Sequence, residues 1–287
     1  MNYFAHALPF LDTPTATAAA PANRKPEGPD RSGGAIAAPS GSAGRRKNRE
    51  GAPDRLCAWY FAAATGIPDW LTVVDRKVRV RRKHVEPFLA DARPEVAAIA
   101  GGILQHLRDD ARFHGTRAFG ELSLELTLLA RDHLGADSGF RPNFLGHLLV
   151  EVLLDAALIA DHPGRLDAYY AVFDKVDPAV IEAAVNEMAP RRTERLAWMI
   201  DRFRETRILS DYAEDAKLFV RLNQVMRRAG LAELPDRLRR ILPEARRKVA
   251  LRKTELLDGI PVGRSSQPLA GGACLDKHQG SIPNGQE

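Results

Sequence analysis

The stretch NFLGHLLVEVLLDAALIADHPG (143–164) is apolar on nearly all sides of a helix, yet it carries a histidine and two carboxylates at four-residue intervals. His147, Glu151 and Asp155 are spaced i, i+4, i+8, so they share one side of that helix. A helix that is hydrophobic all round belongs at the centre of a fold. Each charge buried there without a partner is strongly destabilising. The rest of the chain must bring matching chemistry to that stripe, and this requirement constrains the fold more than any other feature.

A second segment answers it. Pro94 and the run EVAAIAGGILQHLRDDARFH place Val96, Ile99, Ile103, Leu104 and Leu107 at helical spacing. The same helix carries His106, Asp110 and His114, again at i, i+4, i+8, with Asp109 beside them. Imidazole plus carboxylate is a ligand set for Mn, Fe or Zn rather than for Ca or Mg alone. Helical bundles hold such sites with ligands projecting inward from facing helices. Two such stripes favour a metal; the alternative is a His–carboxylate hydrogen-bond network without one. Two further polar residues stand in apolar surroundings. Taken alone, His6 in NYFAHALPF reads as a satisfied core histidine, and Asp69 in GIPDWL as a helix N-cap.

The remaining organisation is all-α. RAFGELSLELTLLARDHLG keeps Phe119, Leu122, Leu126 and Leu129 on one side and stops at Gly135. Asp177-Pro178 opens another helix, with Asp as N-cap and Pro at the first position. Further helices are expected around 191–228, broken near Ser210, and over 235–257. Residues 13–55 are Ala, Pro, Gly, Ser and charged residues, with Ile36 as the one large apolar side chain, and read as a disordered insertion. Residues 259–287 read as a disordered tail. The expected single domain is therefore 1–12 joined to 56–258. No period-two alternation, GxGxxG or GxxxxGK[ST] is present, so Rossmann and P-loop functions have no support.

Charge and cysteine usage exclude other classes. The net charge of +5 suggests nucleic acid, but residues 13–55 hold eight Lys/Arg against four Asp/Glu, while 56–258 hold 32 against 30. The basic run ARRKVALRK (245–253) reads as a solvated helix face. Nucleic acid is not an expected partner. Cys57 and Cys274 form no CxxC, which excludes a disulfide framework and a cysteine-based zinc ribbon. No uninterrupted apolar run reaches the roughly 18 residues of a membrane span, and the N-terminus lacks a basic n-region. The expectation is a cytoplasmic protein without a membrane span, its oligomeric state left open.

MNYFAH at the start, Asp69 in ATGIPDW, GILQH with Asp110 four residues after its His106, and ExxxD on the apolar helix fall in the order of a known pattern. The chain thereby resembles the acyl carrier protein phosphodiesterases, all-α hydrolases similar to the HD-domain metal-dependent phosphohydrolases. Their pattern is MNxLAH, then GNxxAD, then GxxLHRxID with another Asp four further on, then DxxxD. His6, Asp69, His106, Asp110 and Asp155 match in type and order; Glu151 matches in charge, and His114 stands where the family has its further Asp. The resemblance covers roughly 1–12 and 57–160. Between His6 and Asp69 stand 62 residues, more than the family's spacing, and the 13–55 insertion accounts for the difference. The family's Arg after the His is shifted one place, to Arg108, and His147 is an addition.

The resemblance implies an HD-like bundle and a one- or two-metal centre that hydrolyses a phosphoester, in first place a phosphodiester, with acyl carrier protein as the family's substrate. It implies His6, Asp69, His106, Asp110 and Asp155 as metal ligands, manganese being the first choice and iron or zinc the alternatives. His114, His147 and Glu151 are expected as further ligands, as groups that orient imidazoles, or as the general acid. Arg108, Arg112 and Arg117 lie next to the stripe, where they either clamp phosphate or form a solvated helix face. Two rivals stand beside this reading: a different metal-dependent reaction on the same scaffold, and a non-enzymatic protein with a structural His–carboxylate network.

Overall fold

A computed structural model describes residues 3–11, 52–134, 140–258 and 260. The fold is all-α, and no strand occurs among the described residues. In chain order the helices are α1 (Tyr3–Ala7), α2 (Ala52–Ala64), α3 (Ile67–Val74), α4 (Arg82–Val85), α5 (Pro94–Gly115), α6 (Arg117–Leu134) and α7 (Pro142–Asp161). They continue as α8 (Pro163–Val172), α9 (Pro178–Met188), α10 (Leu196–Thr206), α11 (Asp215–Arg228), α12 (Leu242–Leu251) and α13 (Lys253–Leu256). Short 3₁₀ turns join several of them. Most of segment 13–55 and of tail 259–287 lies outside the described residues. Two boundaries move, however. Helix α2 begins at Ala52, inside the segment assigned to the insertion, and Ile260 is buried beyond the expected end of the domain.

Helix α7 is long and apolar enough to cross a membrane by length and composition, but it is mostly buried inside the protein. It packs against α6, α12, α1 and α8, and buries Leu145, Leu149, Val150, Leu153 and Leu154. The α6–α7 pair approaches closely at Gly146. A Cβ there would collide with the Thr127 hydroxyl and lie 2.5 Å from the Ser123 carbonyl oxygen. Helices α2 and α5 meet in the same manner at Gly102, where a Cβ would strike the Phe61 carbonyl.

The expected N-cap is present: the Asp177 carboxylate accepts a hydrogen bond from Ala179 N at 2.8 Å. The break near Ser210 is also present. Helix α10 ends at Arg207, which adopts left-handed geometry at φ 44°, and a 3₁₀ turn over Ile208–Ala213 follows. That conformation costs a non-glycine residue roughly 1 kcal/mol. The Arg207 guanidinium offsets it by stacking over Tyr170, 4.3 Å from the ring centre, and pairing with Asp167. Around Tyr170, an aromatic cluster of Trp70, Tyr169, Phe173 and Phe203 fixes α3, α8 and α10 together.

Candidate metal centre

Helix α5 delivers His106, Asp109, Asp110 and His114 to the side that faces α1 and α7. Helix α7 delivers His147, Glu151 and Asp155, while α1 contributes His6 and α3 contributes Asp69. The polar stripes of α5 and α7 therefore meet directly at one end, through His114 and Glu151, and are joined at the other by His6 of α1.

The stripes resolve into two trios. In the inner one, His6, His106 and Asp110 each offer a ligand atom, all within 4.8 Å of one another. The His6 and His106 rings lie 4.4 Å apart. His6 is fully buried and His106 is 3 % exposed. In the outer trio His114, His147 and Glu151 are equally close together. Glu151 Oε1 lies 3.5 Å from His114 Nε2 and 3.4 Å from His147 Nε2. Asp110 joins the trios, because its Oδ1 is also 3.7 Å from His114 Nε2. A cation with ligand bonds of about 2.0–2.2 Å needs donors roughly 3–4 Å apart, so small side-chain rotations close either trio around one.

The inner trio is lined by acids. Asp109, wholly buried, places Oδ2 3.9 Å from His6 Nδ1. Its carboxylate is held by both oxygens at 2.9 Å from Gln105 Nε2. Asp69 Oδ1 lies 4.0 Å from His106 Nε2. Asp69 is the third residue of α3, whose N-cap position is Gly66, so it serves His106 rather than capping the helix. Its neighbour Trp70, fully buried against Phe173 and Phe203, fixes it there. Neither ring nitrogen of His6 has a hydrogen-bond partner among the described residues, and neither does His106 Nδ1. Burial, reinforced by the neighbouring His6, takes the His106 imidazolium down to about 4, so the ring is neutral at pH 7. Neutral imidazole is the form that ligates a metal.

Asp155 stands apart from both trios. Its two oxygens accept hydrogen bonds from Phe4 N at 3.2 Å and Ala5 N at 2.9 Å. It therefore caps α1 from α7, satisfying amides at the start of that short helix, and fixes where His6 projects. Burial pushes its carboxyl up to about 7 against the opposing effect of these amides.

The outer trio is differently built. The His147 side chain is 44 % exposed and that of His114 27 %. His114 stacks on Phe119 at 4.5 Å, and His147 meets the same ring edge-on at 4.9 Å. Phe119, expected only as core, is thus the wall that orients both imidazoles. Burial lowers the His114 imidazolium below the ordinary range.

The expected phosphate clamp is not where the sequence put it. Arg108 Nε donates to the Leu104 carbonyl of its own helix. Arg117 is paired with Glu121, with its side chain 91 % exposed. Arg112 and Arg117 line a separate depression with Thr254 and Glu255. Shifted charges on the outer side of α5 and α6 follow the solvated-face alternative. Asp109 is the site residue that the stripe pattern passed over. Its signal was the Gln105–Asp109 pair at i, i+4, a buried amide holding a buried carboxylate. Comparison of the chain with protein-family models, curated proteins and solved structures gave no match.

Proposed function

We propose that the protein is a metal-dependent phosphoester hydrolase, in first place a phosphodiesterase, with one divalent cation in each trio and Asp110 between them. The observation that carries this reading is the wholly buried His6, whose two ring nitrogens lack partners while carboxylates stand on both sides. A structural network satisfies its buried donors and acceptors, whereas a ligand set leaves lone pairs for a cation. The mixed imidazole and carboxylate donors fit manganese first, and iron or zinc as well.

When bound, such cations supply Lewis acidity towards phosphoryl oxygens and a water acidic enough to attack at neutral pH. The chain's own residues do the rest. His106 stays neutral in its buried setting, and Asp109 and Asp69 stand ready to orient His6 and His106 through their second nitrogens. Asp110 bridges the two halves. His147, half-exposed at the mouth, would hold the outer cation where the substrate reaches it. The resemblance to acyl carrier protein phosphodiesterases supports the same reaction class.

The test is metal analysis combined with turnover. Protein stripped with chelator should be inactive on bis(p-nitrophenyl) phosphate, and Mn²⁺ should restore activity with up to two equivalents bound per chain. No bound metal after reconstitution with Mn²⁺, Fe²⁺ or Zn²⁺ would leave the structural network as the answer.

A further inference from the structure

A cleft of about 790 Å³ opens between the C-terminal end of α3 with the loop that follows it, the first half of α7, and the C-terminal end of α11. Its inner wall is His147 and Glu151, two of the three members of the outer trio. Phe144 lies one helical turn before His147 on the same helix and adds an apolar surface. Arg76, Arg79 and Arg228 line the same cleft, and all three are exposed. Glu151 is the one carboxylate in the lining, and it is turned towards the two histidines.

Elsewhere on the molecule Arg93, Arg221, Arg246 and Arg252 pair with carboxylates at 2.5–2.8 Å. Among the described residues no carboxylate pairs with Arg76, Arg79 or Arg228. Arg76 donates to the Arg228 backbone carbonyl instead, which ties the loop to the end of α11. Three guanidinium groups that line one cleft without a carboxylate partner repel one another, and an anion between them removes that cost. Phosphate oxygens match the guanidinium fork.

We propose that this cleft binds the substrate through an anionic group other than the phosphate being cleaved. The reacting phosphoester then lies at the His147–Glu151 end, a second phosphate or carboxylate lies among Arg79, Arg228 and Arg76, and the apolar part of the substrate rests on Phe144. The preferred substrate is thus an elongated phosphoester that carries extra negative charge on one arm. This identification of the substrate class rests on the hydrolase reading above; the binding of anions to the cleft does not.

The experiment uses the full chain, stripped of metal by chelator, and inorganic pyrophosphate followed by titration calorimetry. Saturable binding is expected, weakening as salt rises because the guanidinium groups are exposed. Arg79→Ala and Arg228→Ala should each weaken it about fivefold or more, and Arg228→Glu should abolish it. Arg117→Ala, an exposed arginine outside the cleft, should leave it unchanged. Circular dichroism confirms the fold of each variant. Absence of saturable binding, or binding untouched by Arg79→Ala and Arg228→Ala, overturns the proposal. Mn²⁺-dependent turnover of bis(p-nitrophenyl) phosphate is read separately: turnover without pyrophosphate binding removes the cleft and keeps the hydrolase, and binding without turnover does the reverse.

Discussion

Each trio sets two imidazoles beside one carboxylate, the inner from α1 and α5 and the outer from α5 and α7, yet their surroundings differ. His6 and His106 are buried, flanked by the buried Asp109 and the partly exposed Asp69, and short of hydrogen-bond partners. His114 and His147 rest against the ring of Phe119, and His147 looks out into a cleft. The two groups of donors therefore differ in setting. A cation held by the inner one would exchange slowly, while one held by the outer one would meet solvent at the mouth of the cleft. Access is what separates them.

Asp110→Ala breaks the comparison most severely, because that carboxylate belongs to both halves. Expected are loss of both metal equivalents and a fall in phosphodiester turnover of about a thousandfold or more. The melting temperature should stay level or rise, since one carboxylate leaves a crowded cluster. Unchanged metal content together with destabilisation by several kcal/mol would mark the stripes as a structural network.

His147→Ala sharpens the comparison. It should remove the outer equivalent alone, with turnover falling roughly 10–100-fold, the range seen when a supporting group of a metal site is lost. Elemental analysis after dialysis reads this directly. Loss of both equivalents would show that the trios are one site.

Acid should find the inner trio first in metal-free protein. His106 has an ordinary value of 6.5 when unfolded and about 4 when folded, so between these values the unfolded chain binds more protons. The His106 contribution to stability therefore falls as pH drops through that window, by about 3 kcal/mol at full effect. Asp155, whose carboxyl is pushed up to about 7, takes up a proton in the folded state over the same window and opposes it. The His106 share is thus the difference between wild type and His106→Gln in denaturant midpoints at pH 7 and pH 4.5. Relative to wild type, the variant should lose less stability, or gain more, on acidification. A difference unchanged in that variant assigns the acid sensitivity elsewhere.

Gly146→Ala tests the outer trio through its scaffold. The added methyl group has no room against Thr127 and Ser123, and overpacking of this kind costs about 1–3 kcal/mol. The α6–α7 spacing that sets His147 against Phe119 should widen, lowering stability by about 2 kcal/mol in urea while α1 still holds His6. Wild-type stability would show that this close approach does not fix the outer site.

Much of this arrangement was readable in advance. The all-α fold, the central place of α7, the Asp177 cap and the break near Ser210 all follow from helical spacing and from local backbone chemistry. The two stripes were readable for the same reason: a four-residue interval puts side chains on one face wherever the helix lies. Asp155 was harder, because stripe membership does not distinguish a ligand from a cap for another helix. Nothing in EVLLD says that α1 will set its amides against that carboxylate. Arg76, Arg79 and Arg228 were beyond reach, since two lie in a loop and one at the end of a helix about 150 residues away.

What the sequence determined by itself is periodic and local: which segments are helical, which faces are apolar, where the polar exceptions fall, and that their burial demands partners. Tertiary packing decided which exceptions meet. It set α1 against α5 and α7, drew six of the eight candidate ligands into two trios, one around two buried histidines and one at a cleft, and gave Asp155 to the α1 amides. It also moved the basic lining from α5 to the cleft beside His147. The physical reason is that periodicity fixes the direction of a side chain relative to its own helix. The distance from one helix to the next is set by the small contacts that let them approach, such as Gly146 beneath Thr127 and Gly102 beneath Phe61.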